Sequence, residues 1–251
     1  MILKPKNWYK RYFGAPVKKH KAWHKYLEVQ AERHGFQVYK LHLNWLLPGP
    51  FQDVVNAWGD TPGLPMDRCC VLYEAAVALA GAGVEGDSAD CGVRYGKSSF
   101  FMLHGLAEGS RTHYLFDSFE GLSEPSAEDT LATDLVKDWQ QGDLAVSEDQ
   151  VRACMKAFDN CRYLKGWIPE RFEEVADRRF AMVHVDVDLY EPTRDCYRFF
   201  YERLVPGGLI ICDDYGSSRC PGATRAIDEF MADKPESVLQ LPTGQALVYK
   251  R

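Results

Sequence analysis

From residue 88 onward, short apolar stretches alternate with amphipathic or proline-started ones, and this alternation restricts the fold more than any other feature. Strands are expected over 88–93, 112–119, 162–167, 180–189 and 209–215, and helices over 96–107, 147–158, 169–176, 192–204 and 222–232. Repeated strand–helix units need right-handed crossovers, which build a parallel sheet with helices on both faces. Two last strands, 237–241 and 246–249, flank Pro242-Thr243-Gly244 and read as a hairpin. The expected fold class is therefore α/β, a doubly wound Rossmann-like sheet, mostly parallel, with a C-terminal antiparallel hairpin. A helix over 66–82 is stopped by Gly81 and Gly83, and a helical pattern over 21–57 is interrupted by Pro48 and Pro50. The chain thus divides into a basic, mostly helical N-terminal extension, 1–65, and an α/β domain, 66–251.

Composition narrows the function. Of 251 residues, 46% are hydrophobic and 26% charged, enough for a sizeable core. A net charge of −6 argues against nucleic acid as the partner, because neutralising phosphates needs a basic surface. No apolar run approaches the ~20 residues that span a bilayer, so no transmembrane segment is expected. The stretch 1–12 is basic and aromatic without the apolar core of a secretory signal, which favours a cytoplasmic protein. The eight cysteines form no CxxC pair and read as buried free thiols rather than a zinc site.

Charge is unevenly spread. Residues 1–40 hold ten Lys or Arg against Glu28 and Glu32. This is either a solvated helical face or an arm that meets an anionic glycan, a lipid surface or a partner subunit, as in a homodimer. Residues 120–149 hold nine acids against Lys137 and include Gly121, Pro125 and Gly142. They read as a long surface excursion of the kind that is functional or disordered.

Three groups of residues carry chemistry. The first is Asp90-Cys91-Gly92-Val93-Arg94-Tyr95-Gly96-Lys97-Ser98, between the first strand and its helix. Gly92 and Gly96 let backbone approach a ligand, and the following helix N-terminus favours an anionic group. A plain structural turn has the same appearance, and the GxGxxG dinucleotide fingerprint is absent. The second is Asp117, at the end of the next strand, placed to accept hydrogen bonds from ribose hydroxyls. A strand-end Asp capping its own turn is the bland alternative. The third is His184-Val185-Asp186-Val187-Asp188, with Cys212-Asp213-Asp214-Tyr215. Alternation along a strand sends Asp186 and Asp188 to one face. Four carboxylates at one sheet edge repel unless they share a cation, and oxygen ligands favour Mg²⁺, Mn²⁺ or Ca²⁺ over zinc.

An adenosine-type cofactor beside such a cation suggests methyl transfer to a hydroxyl, since a cation lowers the pKa of a bound oxygen and a nearby carboxylate takes its proton. Two metal-based rivals reuse the same acids. A metal-dependent nucleotide-sugar glycosyltransferase would use Asp186-x-Asp188 but would need neither the glycine turn nor Asp213-Asp214. A non-haem iron oxygenase would need a histidine beyond His184, and none follows it. A non-catalytic binding protein would tend to lose the acids, and all four are present.

The blocks 86–96, Phe116-Asp117-Ser118-Phe119-Glu120-Gly121-Leu122, Lys165-Gly166-Trp167-Ile168-Pro169-Glu170, 186–193, 204–208 to 213–215 and Cys220-Pro221-Gly222-Ala223 occur in this order. In that order they resemble the macrocin-type sugar O-methyltransferases over about 66–250. The resemblance implies bound S-adenosylmethionine, with Asp117 on the ribose and Gly92 and Gly96 near the methionine end. It also implies cofactor contacts from Asp90, Val93, Tyr95, Ser98, Ser118 and Asp186. Mg²⁺ (or Mn²⁺) would be held by Asp186, Asp213 and Asp214, with Asp188 as general base. The acceptor would be a sugar hydroxyl of a glycosylated natural product, glycolipid or polysaccharide, and 120–149 would form part of a lid. Two departures stand out: Asp90 replaces a frequent Glu, and Lys97 and Ser98 replace small residues.

Overall fold

The computed structural model describes residues 44–106, 111–131 and 138–251. Expectations for 1–43, the basic arm among them, and for 132–137 lie outside the described residues. Two compact units divide between Thr61 and Pro62, close to the 65/66 boundary read from the sequence. In the first, a 3-10 turn Asn44–Leu46 precedes helix α1, Pro50–Trp58. Pro50 opens that helix, where its missing N–H costs nothing.

The second unit carries the sheet. Its elements are α2 (Met66–Gly81), β1 (Asp87–Cys91), α3 (Lys97–Leu106), β2 (His113–Asp117), α4 (Glu148–Cys154), β3 (Cys161–Lys165), β4 (Phe180–Val185), α5 (Tyr190–Phe200), β5 (Leu204–Cys212), α6 (Pro221–Met231), β6 (Leu239–Gln240) and β7 (Ala246–Tyr249). The seven strands lie in the order β3-β2-β1-β4-β5-β7-β6. β1 through β5 are parallel, β7 runs antiparallel to β5, and β6 antiparallel to β7. The chain winds one way from β1 to β3 and the other way from β4, so the switch point lies between β1 and β4. Ligand clefts form outside the carboxyl ends of strands at such a point.

Several elements are shorter than their sequence pattern. Helix 169–176 is only a 3-10 turn, Phe172–Val175, and Pro169 lies before it in a cis peptide with Ile168. Strand 180–189 ends at Val185, because Asp188 takes a left-handed φ of 60° and Tyr190 already begins α5. β5 instead starts early, at Leu204, and absorbs Pro206-Gly207-Gly208 with a shift of register against β4. The helix start at Ser147 does form, with a reciprocal capping box to Gln150.

Period-2 alternation sorts the strands onto two cores. Ala89 and Cys91 of β1, Val183 and Val185 of β4, and Ile210 and Cys212 of β5 join Phe116, Phe172, Tyr197 and Phe200 on one face. Met182, Leu209 and Ile211 pack against Leu72, Ala76, Leu79 and Met102 of α2 and α3 on the other. Those helices approach closely at Gly105, where a Cβ would lie 2.5 Å from the Tyr73 carbonyl oxygen. Six cysteines are buried, Cys154 and Cys161 are half-buried, and all eight are free thiols.

A polar row crosses this second face. Ser88 and Asp90 alternate onto it, and cross-strand register sets Ser88 beside His113 and Asp90 beside His184. Ser88 Oγ lies 2.7 Å from His113 Nδ1. Burial pushes the His113 ring down from its ordinary 6.5 to about 4. The folded state therefore keeps it neutral while the unfolded chain protonates it below its ordinary value. Stability that is present above that value is lost as pH falls toward 4, by up to about 3 kcal/mol. Urea unfolding of wild type and His113→Gln between pH 7.5 and 4.5 measures this. We expect the wild type to lose more stability than the variant over that interval; parallel curves would rule the effect out.

Candidate functional site

Three strand ends are brought level by backbone hydrogen bonds that extend the sheet one residue beyond its ladders. Gly92 N donates to Phe116 O at 2.9 Å, Asp186 N to Cys91 O at 2.8 Å, and Asp213 N to Val185 O at 2.9 Å. The glycine turn and two of the four acids thus sit at one carboxyl edge. The approach is tight: Gly92 has φ 88°, and a Cβ there would lie 1.8 Å from the Asp186 carbonyl oxygen. No residue but glycine fits.

Asp117 closes the turn from β2. Its Oδ2 accepts from Val93 N (2.8 Å) and Arg94 N (3.0 Å), and its Oδ1 from Phe119 N (2.7 Å). Burial pushes this carboxyl up, and the three amides hold it back down. Each carboxylate oxygen has two acceptor sites, so Oδ2 is filled by its two amides and Oδ1 can still receive one hydroxyl.

A cleft of about 310 Å³ opens above these strand ends. Gly92, Val93, Tyr95, Ser98, Asp117 and Ser118 line one part of it, and Asp186, Asp188, Asp213 and Asp214 another. Two of the side chains turn away: Ser98 Oγ donates to Asp90 at 2.6 Å, and Ser118 Oγ to the Gly121 carbonyl at 2.8 Å. Two residues expected at the cofactor are not part of the lining. Asp90 is completely buried, with its oxygens taken by Ser98, Ser99 and His184, because it lies on the helix-covered face of β1. Gly96 faces α4, where a Cβ would meet Met155 Sδ at 3.1 Å. The glycine there serves packing rather than ligand approach.

The acid edge is electrostatically loaded. Burial, then Asp213, Asp214 and Asp188, push Asp186 well above the carboxylate range. Its remaining surface faces the cleft. Burial likewise raises Asp214, helped by Asp188 and Asp213, and brings Asp188 to about 6. Asp188 N donates to Asp214 Oδ2 at 3.0 Å, and Cys220 Sγ lies 3.5 Å from Asp188 Oδ1. Potential ligand atoms gather in two clusters, His184–Asp186–Asp213 and Asp188–Asp214–Cys220. The structure therefore parts the expected trio: Asp214 sides with Asp188 rather than with Asp186 and Asp213.

Two basic groups offset this charge; Arg68 was not read from the sequence as part of the site, and His184 was read there only as a member of the acid motif. Arg68, in the first turn of α2, forms a short ion pair with Asp213 and donates to the Thr243 carbonyl at 3.1 Å. His184 is fully buried, with Nδ1 2.8 Å from Asp90 and Nε2 3.6 Å from Asp213, the latter beyond a hydrogen bond. Burial works against its protonation, but Asp90 and Asp213 overcome that and raise it well above its ordinary value. The two flanking carboxylates thus favour the protonated ring at this position. Gln245 Nε2 completes the surroundings of Asp213 at 2.9 Å from Oδ1.

Aromatic and basic side chains close the cleft opposite the sheet. Trp139 and Leu144 come from the acidic excursion, and Trp167 follows β3. The Arg219 guanidinium lies 4.0 Å from the Trp139 ring centroid. No sequence signal joined Trp139 to Arg219, which lie 80 positions apart on unrelated loops.

Comparison with known proteins places this architecture. A 4'-O-methyltransferase of Streptomyces olivaceus that acts on 8-demethyl-8-(2,3-dimethoxy-alpha-L-rhamnosyl)-tetracenomycin-C is 37% identical over 150 residues, 56% of this chain and 57% of that protein. Demethyldecarbamoylnovobiocin O-methyltransferase of Streptomyces niveus is 32% identical over 163 residues, covering 61% of each. The chain spans about three fifths of the length of these curated relatives. Among solved structures, the O-methyltransferase NovP superposes with a TM-score of 0.62 at 27% identity, over 79% of this chain and 88% of that one. The calicheamicin methyltransferase CalS11 shares the fold, with a TM-score of 0.59 at 19% identity over 95% of each chain. The profile of the macrocin-O-methyltransferase (TylF) family matches residues 65–238, well over half of the sequence, and the chain belongs to that family.

Proposed function

We propose that this protein transfers the methyl group of S-adenosylmethionine to a sugar hydroxyl of a glycosylated natural product, with a divalent cation, Mg²⁺ or Mn²⁺, at the acid edge. One observation carries the reading: a single cleft joins the Gly92–Asp117 cradle to four carboxylates. Family membership and the acceptors named for the relatives, a rhamnosyl tetracenomycin and mycinamicin III, support a sugar acceptor. A nucleotide-sugar glycosyltransferase is disfavoured, since it gives no role to the cradle.

The acid edge suits a hard cation. It gathers oxygen donors at positions too buried to stay charged unaided, and Arg68 with His184 only partly offsets them. Asp186, Asp213 and Asp214 would hold the ion. When bound, the ion would acidify the acceptor hydroxyl, and the sulfonium of the cofactor would supply the methyl group. The chain's own groups do the rest. Asp117 receives a ribose hydroxyl on Oδ1, and Gly92 lets the backbone of the turn lie close to the cofactor's tail. Asp188, the acid raised to about 6, takes the acceptor proton because it is ionised at neutral pH yet still basic. Trp139 and Trp167 exclude water and present ring faces to the sugar.

Calorimetry with S-adenosylmethionine tests the cofactor half. Wild type should bind, and Asp117→Ala should bind at least about tenfold more weakly while remaining folded by circular dichroism. Absence of binding by the wild type would sink the methyl-transfer reading. For the acid half, Asp188→Asn should bind the cofactor normally while methyl transfer to a glycosylated acceptor falls about 10²–10⁴-fold. Chelation with EDTA should abolish transfer and spare cofactor binding. Transfer that survives chelation would remove the cation from the proposal.

A further inference from the structure

Four cationic side chains line the cleft: Arg68, Arg94, Lys97 and Arg219. Arg68 is paired with Asp213, Arg219 is exposed and stacks on Trp139, and Arg94 is exposed beside the Tyr95 ring. Lys97 differs from all three. It is 8% exposed, and among the described residues its ammonium has no carboxylate partner, only the Leu64 carbonyl oxygen. An ammonium carries three N–H donors, so two remain. Its stem is fixed against Gly63, where a Cβ would come 2.9 Å from the Lys97 side chain. Burial lowers its pKa, the mark of a charge out of water without adequate compensation.

Its position adds to the anomaly. Lys97 is the first residue of the ten-residue helix α3, where the helix dipole already favours negative charge and disfavours a cation. The opening amides of a helix also lack intrahelical acceptors. A buried ammonium on the residue that opens the helix costs stability in the empty protein, and an anion bound by that ammonium would offset the cost. Asp117 and Gly92 line the same cleft as Lys97. In a cofactor whose ribose meets Asp117, the anionic group is the carboxylate of the methionyl tail.

We infer that Lys97 is the counter-ion of the methionyl α-carboxylate of S-adenosylmethionine, making it a cofactor-binding residue that the glycine turn alone does not supply. The inference rests on the cofactor reading above. The Leu64 carbonyl holds the ammonium in place, and the carboxylate accepts its free N–H donors.

Calorimetry with two ligands separates this role from a structural one. S-adenosylhomocysteine carries the carboxylate, whereas 5′-methylthioadenosine keeps the nucleoside and lacks the amino-acid tail. Lys97→Met should weaken S-adenosylhomocysteine about tenfold or more and leave 5′-methylthioadenosine within about twofold of wild type. Lys97→Arg, which keeps the charge, should recover most of the loss. Equal weakening of both ligands would mean that Lys97 only supports the cleft wall, and unchanged S-adenosylhomocysteine affinity would mean that it does not meet the tail; either overturns the inference. A wild type that binds neither ligand would instead overturn the cofactor reading itself.

Discussion

The buried pair Asp90–His184 is the joint on which the site depends. A carboxylate and an imidazole lie wholly inside the protein, at Asp90 Oδ1 and His184 Nδ1, 2.8 Å apart. Burial opposes ionisation of both, yet Asp90 is held below its ordinary range, chiefly because His184 outweighs that cost. Ser98 and Ser99 add hydrogen bonds from the start of α3. One carboxylate therefore fastens the helix that follows the glycine turn to β1 and, through His184, to β4. Beyond His184 stands Asp213. Removing either partner would strand a buried charge, a loss of about 3–5 kcal/mol in comparable pairs.

This joint divides the cleft by sign. The acid edge holds Asp186, Asp188, Asp213 and Asp214, with Arg68 and His184 as the basic groups against Asp213. The start of α3 adds a buried ammonium, Lys97, whose hydrogen-bond partner is the Leu64 carbonyl rather than a carboxylate, while the Asp90 carboxylate behind it is engaged by Ser98, Ser99 and His184. On the proposed reading a zwitterionic cofactor lies along this gradient, with its carboxylate at the basic end and its sulfonium toward the acids. Orientation then follows from long-range electrostatics in a low-dielectric cleft as much as from contacts.

Much of this was legible before any coordinates. Apolar period and glycine punctuation specify the parallel sheet and its terminal hairpin, since such a pattern has few packings. Gly92, Asp117 and the four acids were readable because strand-end positions map directly onto one edge. Orientation was harder. β1 reads Asp-Ser-Ala-Asp-Cys and is buried throughout, so its pattern does not say which face is the helix-covered one. Asp90 consequently read as facing the cofactor when it points into the protein. Gly96 looked like a second ligand-facing glycine because Met155, which it accommodates, is 59 positions away. Arg68 had no local signature: its role exists only because Thr243 and Asp213 fold onto the start of α2.

The same kind of distant contact couples the acidic excursion to the chemistry. Leu189 precedes α5 without a capping side chain, and Asp129 supplies one from 61 positions upstream, accepting from Tyr190 N at 2.7 Å. The other Asp129 oxygen bonds Ser126, and Gly222 of α6 leaves it room: a Cβ there would lie 2.0 Å from Asp129 Oδ1. The left-handed residue Asp188 sits two positions before that cap, so the conformation presenting its carboxylate is held partly by the excursion. The excursion's ends are tied together as well, by Leu122 N to Asp143 O and Gly142 N to Leu122 O. Between those ties and the Asp129 cap, the segment that brings Trp139 and Leu144 to the acceptor side is bound to the loop that carries the proposed base. That wall meets the Asp188 loop in two ways, through the Asp129 cap on Tyr190 N and through Arg219, which stacks on Trp139 while its neighbour Cys220 places Sγ 3.5 Å from Asp188 Oδ1. On the proposed reading, the wall that meets the acceptor and the loop that carries the base are therefore packed as one unit.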